Sequence, residues 1–330
     1  MFTAGKPENA RILVVRLGAM GDILHTLPAV ASLKHSHAGS RLTWVVEAKW
    51  APLLEQNPFV DRVVLLRRES SASLFHSWRE LRSERYDFAV DFQGLLKSAI
   101  VATLAGPDRI FGFDNALLRE RAAGLFYSRK TLTPAAHVVD RNLDLAAAAG
   151  GSTTLRVFPL PAGQPEGELP SGDFVLASPL AGWGSKQWPA EHYRTLAARL
   201  RAELGMPLVI DLPAGGRFLP IEDAVRHVSS LPGLIHATRR AAAVVGVDSG
   251  PLHLAAALGK PGVAIFGPTD PARNGPYGGS LQVLRTAQAA TTYKRNSSAD
   301  ESMERITPDQ VFEALRTVLG TPRRSAGCCA

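Results

Sequence analysis

Cysteine is almost absent from this sequence. The 330 residues contain two cysteines, Cys328 and Cys329, which are adjacent in the C-terminal tail. Adjacent cysteines cannot join distant parts of a chain through a disulfide, and two of them cannot supply the four ligands of a structural zinc site. The sequence therefore excludes a fold that depends on structural disulfides or on a four-cysteine zinc centre.

Long apolar runs are also missing. No uncharged apolar run reaches the roughly 18 residues of a membrane span, and residues 1–10 are polar and lack the apolar core of a signal peptide. We therefore expect a cytoplasmic protein. The net charge of +7 includes local basic groups in the N-terminal half. Such groups are typical of solvated helix faces, of sites for an acidic acceptor, or of contact with an anionic membrane surface.

Several ligand-binding motifs are absent. The glycines of residues 18–22 do not form a GxGxxG motif, which disfavours a nicotinamide-dependent oxidoreductase, and residues 181–186 do not form a Walker A loop. No DxD metal motif occurs, so we predict no metal site and no other cofactor. The basic groups lack interleaved aromatic residues, so no nucleic-acid partner is predicted. No obligate protein partner is implied.

Alternating strand and helix patterns fill both halves of the chain and predict an α/β protein with two domains. A linker rich in Pro and Gly separates them. The predicted parts are listed in chain order: a flexible tail at 1–10, an N-terminal Rossmann-like domain at 11–157, the linker at 158–172, a C-terminal Rossmann-like domain at 173–320 and a tail at 321–330. The terminal helix at 308–319 could belong to the second domain or return to the first.

The most informative stretch is residues 243–278. Residues 243–247 predict a buried strand, a helix follows from about Gly250, and residues 263–266 predict the next strand. A helix that begins at the carboxyl end of a parallel strand exposes N–H groups that attract an anion such as a pyrophosphate. A simpler interpretation is that Asp248 and Ser249 only cap the helix, and that His253 packs on the sheet.

Asp22 and Lys186 occupy similar places. Asp22 follows the predicted strand at residues 11–17, in a polar turn before a helix that begins near Pro28, and could be a helix cap or a catalytic group. Lys186 lies in the loop after the predicted strand at residues 174–178 and could be a surface lysine or a ligand group. Residues 277–307 look irregular, apart from their last position, Thr307, which is the predicted cap of the terminal helix.

Several motifs resemble glycosyltransferase family 9, the lipopolysaccharide heptosyltransferases. They include RLGAMGDILHTLPAV near the N-terminus, RERAAGLFYSRK from Arg119, Lys-x-Trp-Pro from Lys186, and DSGPLHLAAALGKP followed by FGPTDPARNGPYG. The sequence MGDILHTLP is closer to heptosyltransferase I than to the second enzyme of that pathway. The resemblance implies the GT-B fold, with two facing Rossmann-like domains that contain parallel sheets and an active site between them. The resemblance is poorest over residues 212–240.

The implied reaction is a metal-independent, inverting transfer of L-glycero-D-manno-heptose from ADP-heptose to Kdo of the lipid A inner core. Asp22 matches the family's proposed general base. The implied sugar-nucleotide ligands are Lys186, Glu222, Asp248, Ser249, Gly250 and His253, and the implied acceptor ligands are Arg119, Arg121 and Lys130. Ala181 and Gly182 depart from the hydroxyl residues expected beside the phosphates, so backbone N–H groups would have to replace those contacts.

Two other functions fit the same sequence. A family 9 enzyme could use another sugar nucleotide or a later core acceptor, as heptosyltransferase II does. A non-catalytic sugar-nucleotide binder would keep Lys186 and the helix after Asp248, but it would tolerate loss of Asp22.

Overall fold

The computed structural model describes residues 9–292 and 300–320. The chain divides into two compact units, Met1–Pro161 and Ala162–Ala330. The division falls inside the segment 158–172 that the sequence marks as a linker, because few backbone groups there enter regular structure.

The first unit contains one parallel sheet in the order β3-β2-β1-β4-β5-β6. Its strands are β1 Arg11–Val15, β2 Arg41–Glu47, β3 Arg62–Leu66, β4 Phe88–Asp91, β5 Ile110–Phe113 and β6 Arg129–Thr131. Its helices are α1 Met20–Leu24, α2 Leu27–Ser36, α3 Ser71–Leu81, α4 Leu96–Leu104 and α5 Val138–Ala148, with 3-10 helices at Ala48–Leu54 and Arg121–Phe126. This strand order is that of dinucleotide-binding Rossmann domains.

The second unit repeats this topology in the order β12-β11-β10-β7-β8-β9. Its strands are β7 Val175–Ser178, β8 Leu208–Pro213, β9 Ala224–Ser229, β10 Ala243–Val247, β11 Gly262–Phe266 and β12 Leu281–Arg285. Its helices are α6 Ala190–Leu204, α7 Leu231–Arg240, α8 Gly250–Ala257, α9 Pro271–Asn274, α10 Glu301–Glu304 and α11 Pro308–Gly320, with a 3-10 helix at Gly184–Lys186. The prediction of two Rossmann-like domains with parallel sheets is confirmed.

The valine-rich strand β10 has the predicted bounds, because a strand buried on both faces gives an unbroken apolar run. The helix α11 is capped reciprocally. Thr307 Oγ1 accepts from the Gln310 N–H at 3.3 Å, and Gln310 Oε1 accepts from the Thr307 N–H at 2.9 Å. Val311 and Phe312 of α11 are buried in the core of the second unit, where the helix packs on α6 and β11. In the described part of the chain, α11 therefore packs within the second unit.

Two predictions about local structure were wrong. Asp22 lies inside the short helix α1 and not in an irregular turn before α2. The region 277–307 contains strand β12 and helix α10, which the sequence pattern concealed because only Leu281 of β12 is buried. Edge strands lack the continuous apolar pattern that identifies central ones.

The connection between β8 and β9 is unusually short. It contains no helix, although parallel strands are ordinarily joined by a crossover of a dozen or more residues. Leu208 at the start of β8 pairs with Ala224 at the start of β9, so residues 214–223 run from the carboxyl edge of the sheet back to its amino edge.

The segment after the unit boundary is fixed to the second unit by two side chains. Glu166 accepts hydrogen bonds from Ser230 N and Ser230 Oγ at 2.7 and 2.6 Å, at the start of α7. These bonds lower the pKa of Glu166. The buried ring of His227 lies between Asp211 Oδ1, at 2.8 Å, and the Glu166 carbonyl oxygen, at 2.7 Å. Part of the predicted linker is thus bound to β9 and α7.

The pKa of His227 reflects opposed effects. Burial disfavours the charged ring, but the hydrogen bonds to Asp211 and to the Glu166 carbonyl outweigh burial and raise the pKa. Both ring nitrogens face acceptors, and the doubly protonated ring can donate to both.

None of the helices within residues 9–292 and 300–320 combines the length and the apolar composition needed to cross a bilayer.

We expect the stabilisation by His227 to depend on pH. Because the folded pKa lies above the ordinary value, the stabilisation is fully present below about pH 6.5 and is lost as the pH rises through the raised pKa. His227→Gln should therefore lower the free energy of unfolding by about 1–3 kcal/mol near pH 5.5 and by less near pH 8.5. Urea unfolding of both proteins at the two pH values measures the difference, and a difference that is larger at the higher pH would contradict this assignment.

Candidate active site

In each unit, polar side chains collect at the carboxyl edge of the parallel sheet. In the first unit, Asp22 is the third residue of α1, seven residues after the end of β1, and its side chain is 45% exposed. Its Oδ1 lies 2.7 Å from Nη2 of Arg16, and its Oδ2 accepts from the Ala19 N–H at 3.2 Å. The carboxylate is thus held in one orientation while it remains open to solvent.

Arg16 is the group that orients Asp22, and sequence reasoning missed it. Its side chain is buried, its Nη1 donates to the Phe92 carbonyl oxygen, and its own carbonyl accepts from Trp44 Nε1 at 3.1 Å. A buried guanidinium requires a partner. The signal available in the sequence was one arginine near the end of the apolar run RILVVRL.

The loop after β4 is fixed to the loop after β1. Asp91 is fully buried and accepts from Tyr127 Oη at 2.7 Å and Ser98 Oγ at 2.8 Å. Burial raises the pKa of Asp91, and these hydrogen bonds oppose that effect. Gln93 Oε1 then accepts from the Leu17 N–H at 2.8 Å. Asp91 and Gln93 therefore support the loop that leads to Asp22.

The three predicted acceptor ligands lie on two different segments of the first unit. Arg119 and Arg121 are exposed and flank Glu120, whose Oε2 accepts from the Leu96 N–H at 2.8 Å at the start of α4. They therefore lie at the same sheet edge as Asp22. Lys130 is exposed on β6, the outer strand of the sheet, where it pairs with Gly112.

In the second unit, Asp248 is the centre of the predicted group. Its side chain is 6% exposed, and its Oδ2 accepts from Lys186 Nζ at 2.5 Å and from Thr269 Oγ1 at 2.7 Å. The Nε2 atom of His253 lies 3.5 Å from Asp248 Oδ1. The loops after β7, β10 and β11 are thereby joined through one carboxylate.

The charge of Asp248 is fixed by these neighbours. Burial alone would favour the neutral acid, but the His253 ring and the Lys186 ammonium outweigh burial and hold the pKa of Asp248 well below its usual range. Thr269 was not predicted as part of this group. Its place in the sequence, in the loop after β11, could have indicated it, because β11 lies beside β10 in the sheet.

The side chains of Asp248 and Ser249 do not cap α8. Asp248 binds Lys186 and Thr269 instead, and Ser249 occupies the N-cap position without accepting a first-turn hydrogen bond. Within the described residues, the buried Oγ of Ser249 has no hydrogen-bond partner. The free N–H groups after Ser249, with Gly250 as the first helical residue, are therefore available to an anion.

The loop that carries Lys186 also borders a cleft. Lys186 Nζ lies 4.3 Å from the centre of the Trp183 ring. Next to it, a cleft of about 460 Å³ is lined by Gly184, Gln187, Arg217 and Phe218, among others. The residues after β7 and β8 meet there, which is the side of a Rossmann domain where a nucleoside is bound.

Glu222 is not part of this group. It is exposed and lies two residues before β9, at the amino edge of the sheet, whereas Asp248 and Lys186 lie at the carboxyl edge. The short β8–β9 connection explains the difference, because the chain has already crossed the sheet when it reaches Glu222. Arg217 is the charged residue that the loop after β8 contributes to the cleft.

In residues 9–292 and 300–320, no three His, Cys, Asp or Glu side chains are grouped as a metal site.

Comparison with known proteins gives the family of this chain. The model of glycosyltransferase family 9 (heptosyltransferase) matches residues 74–209 and 228–303. The unmatched interval contains the short β8–β9 connection. Lipopolysaccharide heptosyltransferase 1 of Escherichia coli K12 is 33% identical over 308 residues, which cover 83% of this chain and 93% of the relative.

Solved structures give the same result. The E. coli heptosyltransferase WaaC with ADP superimposes with a TM-score of 0.75 at 27% identity, covering 93% of this chain and 99% of that one. The same enzyme with ADP-2-deoxy-2-fluoro heptose gives 0.73 at 27% identity with the same coverage. The GT-B class predicted from the sequence is confirmed, and so is the prediction that the protein is a glycosyltransferase enzyme. The chain belongs to glycosyltransferase family 9, the heptosyltransferases.

Proposed function

We propose that this protein transfers L-glycero-D-manno-heptose from ADP-heptose to a hydroxyl of Kdo on the lipid A inner core, with inversion at the anomeric carbon. The observation that carries the proposal is the Lys186–Asp248–Thr269 group at the start of α8. The similarity to an E. coli lipopolysaccharide heptosyltransferase and to WaaC structures with ADP and a fluorinated ADP-heptose supports the choice of donor and acceptor.

The second unit binds the donor in this proposal. The diphosphate accepts hydrogen bonds from the first-turn N–H groups of α8, from Ser249 Oγ and from Lys186. Asp248 does not repel the phosphates because Lys186 and Thr269 already compensate its charge. The nucleoside enters the cleft beside Arg217 and Phe218.

The first unit activates the acceptor. The hydroxyl oxygen attacks the anomeric carbon from the face opposite ADP, the bond from that carbon to the phosphate oxygen breaks, and its electron pair leaves with ADP. The hydroxyl proton passes to the Asp22 carboxylate, which Arg16 holds in one orientation. Lys186 and the positive end of α8 stabilise the charge that grows on ADP, so the proposal needs no metal ion.

Arg119 and Arg121, together with Lys130, are proposed to bind the acidic acceptor. Guanidinium groups bind phosphates and carboxylates through two parallel hydrogen bonds, and both groups occur in Kdo-lipid A. The acceptor is embedded in the inner membrane, so the enzyme acts at its cytoplasmic face.

The direct test is to incubate the protein with ADP-heptose and Kdo-lipid A and to measure ADP release together with the mass of the lipid product. A gain of one heptose supports the proposal. Reaction only with an acceptor that already carries heptose would assign the protein to the later step, and donor binding without transfer to either acceptor would indicate a binding protein.

We expect Asp22→Asn to lower kcat by about 10²- to 10⁴-fold, because the amide cannot take the acceptor proton. The affinity for ADP-heptose should be unchanged, since the donor binds to the second unit. Steady-state kinetics and calorimetric titration measure the two quantities. The matched control is Asp108→Asn, an exposed carboxylate outside the site. Equal turnover in the Asp22→Asn and Asp108→Asn variants would eliminate Asp22 as the base.

Lys186 can be tested separately from its effect on folding. Lys186→Met leaves the buried Asp248 carboxylate without its cation, and we expect a loss of about 3–5 kcal/mol in stability. Adding Asp248→Asn removes the uncompensated charge and should restore most of that stability, while ADP still binds at least about tenfold more weakly than to the unmodified protein. Normal ADP affinity in the stable double variant would show that Lys186 does not bind the diphosphate.

Ser249→Ala distinguishes a helix cap from a ligand group. Loss of a cap hydrogen bond would cost about 1 kcal/mol of stability, but Ser249 Oγ makes no such bond here. We expect unchanged thermal stability and roughly three- to tenfold weaker ADP binding, because a hydrogen bond to phosphate is lost. A destabilised variant with normal ADP affinity would be the opposite result.

A further inference from the structure

The helix α4 has its large apolar side chains on the outside. Leu96, Ile100 and Leu104 are 37, 40 and 48% exposed, and their spacing of four residues places them on one face. The opposite, inward face consists of small residues, with Ser98, Ala99 and Ala102 buried. A surface helix ordinarily shows the reverse arrangement.

The small inward residues have a structural reason. Ala99 and Ala102 belong to the core of the first unit, and Ser98 donates to the buried Asp91. The helix can therefore lie close to the sheet. No such reason applies to the outer face, which presents an apolar strip about 12 Å long. The 3-10 helix Arg121–Phe126 packs beside α4 and adds Leu125, which is 83% exposed. We call these four side chains, Leu96, Ile100, Leu104 and Leu125, the α4 face.

Cations border the α4 face. Arg119 and Arg121 flank Glu120, whose hydrogen bond to the Leu96 N–H fixes that segment at the first turn of α4. Within the described residues neither arginine forms an ion pair. Lys97 follows Leu96 on the helix, and its Nζ lies 3.5 Å from Glu47 Oε1. Over residues 95–132 the chain carries six basic and three acidic side chains. An apolar strip beside cations is complementary to an anionic lipid surface.

We propose that the α4 face docks the enzyme on the anionic surface of a phospholipid bilayer, with the four apolar side chains entering the headgroup boundary and Arg119 and Arg121 binding lipid phosphates. This proposal rests on the proposed function in one respect. The acceptor in that function is a lipid, and the enzyme therefore works at a bilayer. Leu96, Ile100, Leu104 and Leu125 are not among the groups proposed to bind donor or acceptor, whereas Arg119 and Arg121 are shared, since they bind phosphate groups of the acceptor as well as those of neighbouring lipids.

Other occupants of the α4 face fit its charge less well. A second copy in a symmetric contact would bring the same arginines together, and like charges repel. The segments of this chain outside the described residues, 1–8, 293–299 and 321–330, contain one acidic residue between them and are not complementary to a basic surface.

The test uses the full-length protein and vesicles without any substrate. Wild type should sediment with vesicles that contain phosphatidylglycerol and much less with pure phosphatidylcholine. Ile100→Ser with Leu104→Ser should weaken binding to the anionic vesicles by at least about tenfold, because two apolar side chains no longer enter the boundary. Circular dichroism and ADP affinity verify that the variant is folded. Val283→Ser, which alters an exposed valine on β12 of the second unit, is the matched control and should bind the vesicles as wild type does.

Arg119→Gln with Arg121→Gln should reduce the preference for anionic vesicles and its sensitivity to salt. The proposal is overturned if wild type does not bind anionic vesicles, or if the Ile100 and Leu104 variant binds as well as wild type. A third result would also overturn it. In that result wild type self-associates in a concentration-dependent way without binding vesicles, and the Ile100 and Leu104 variant no longer self-associates. Since no donor or acceptor is present, failure of heptosyl transfer in the enzyme assay would leave this result unaffected.

Discussion

A carboxylate that is removed from water keeps its charge only if cations and hydrogen-bond donors replace its hydration, and this constraint organises the second unit. Asp248 meets it by binding Lys186 and Thr269, from loops 62 and 21 residues away in the sequence. Those bonds hold together the ends of three strands. The same bonds leave the start of α8 open, because the one carboxylate that could have capped it is occupied elsewhere.

In the first unit the buried member of the ion pair is the cation and not the carboxylate. There the cation, Arg16, is buried, and the carboxylate, Asp22, is half exposed. The anchored arginine leaves the carboxylate little freedom, so the proposed general base is oriented before any substrate arrives. Pre-positioned groups of this kind save the entropy of ordering at the moment of reaction.

The parts of the fold that could be predicted are those whose cause is local. β10 is a continuous valine-rich run, and α11 has a cap that can be identified from four consecutive residues. The two-domain α/β class follows from repetition of such patterns. β9 could not be predicted, because an edge strand with alternating burial resembles a loop in sequence. Since no helix precedes β9, the chain returns to the amino edge of the sheet before Glu222, which the sequence could not show.

Within the site, Lys186, Asp248 and His253 could be identified from motifs, whereas Arg16 and Thr269 matter only through contacts with residues distant in sequence. The sequence of α4 does not distinguish its inner face from its outer one, because periodicity identifies an apolar face and does not say what covers it.

Because Glu166 is hydrogen-bonded to Ser230 and His227, the later part of the Pro- and Gly-rich segment belongs to the second unit and is not a free linker. A fragment cut at the end of the Pro- and Gly-rich segment, near residue 173, would leave His227 facing solvent at Nε2 and the first turn of α7 without its acceptor. β9 is the outermost strand of its sheet, and a bare outer strand invites pairing with other chains. The second unit prepared by itself should therefore begin at Ala162, so that the segment containing Glu166 stays attached to β9 and α7.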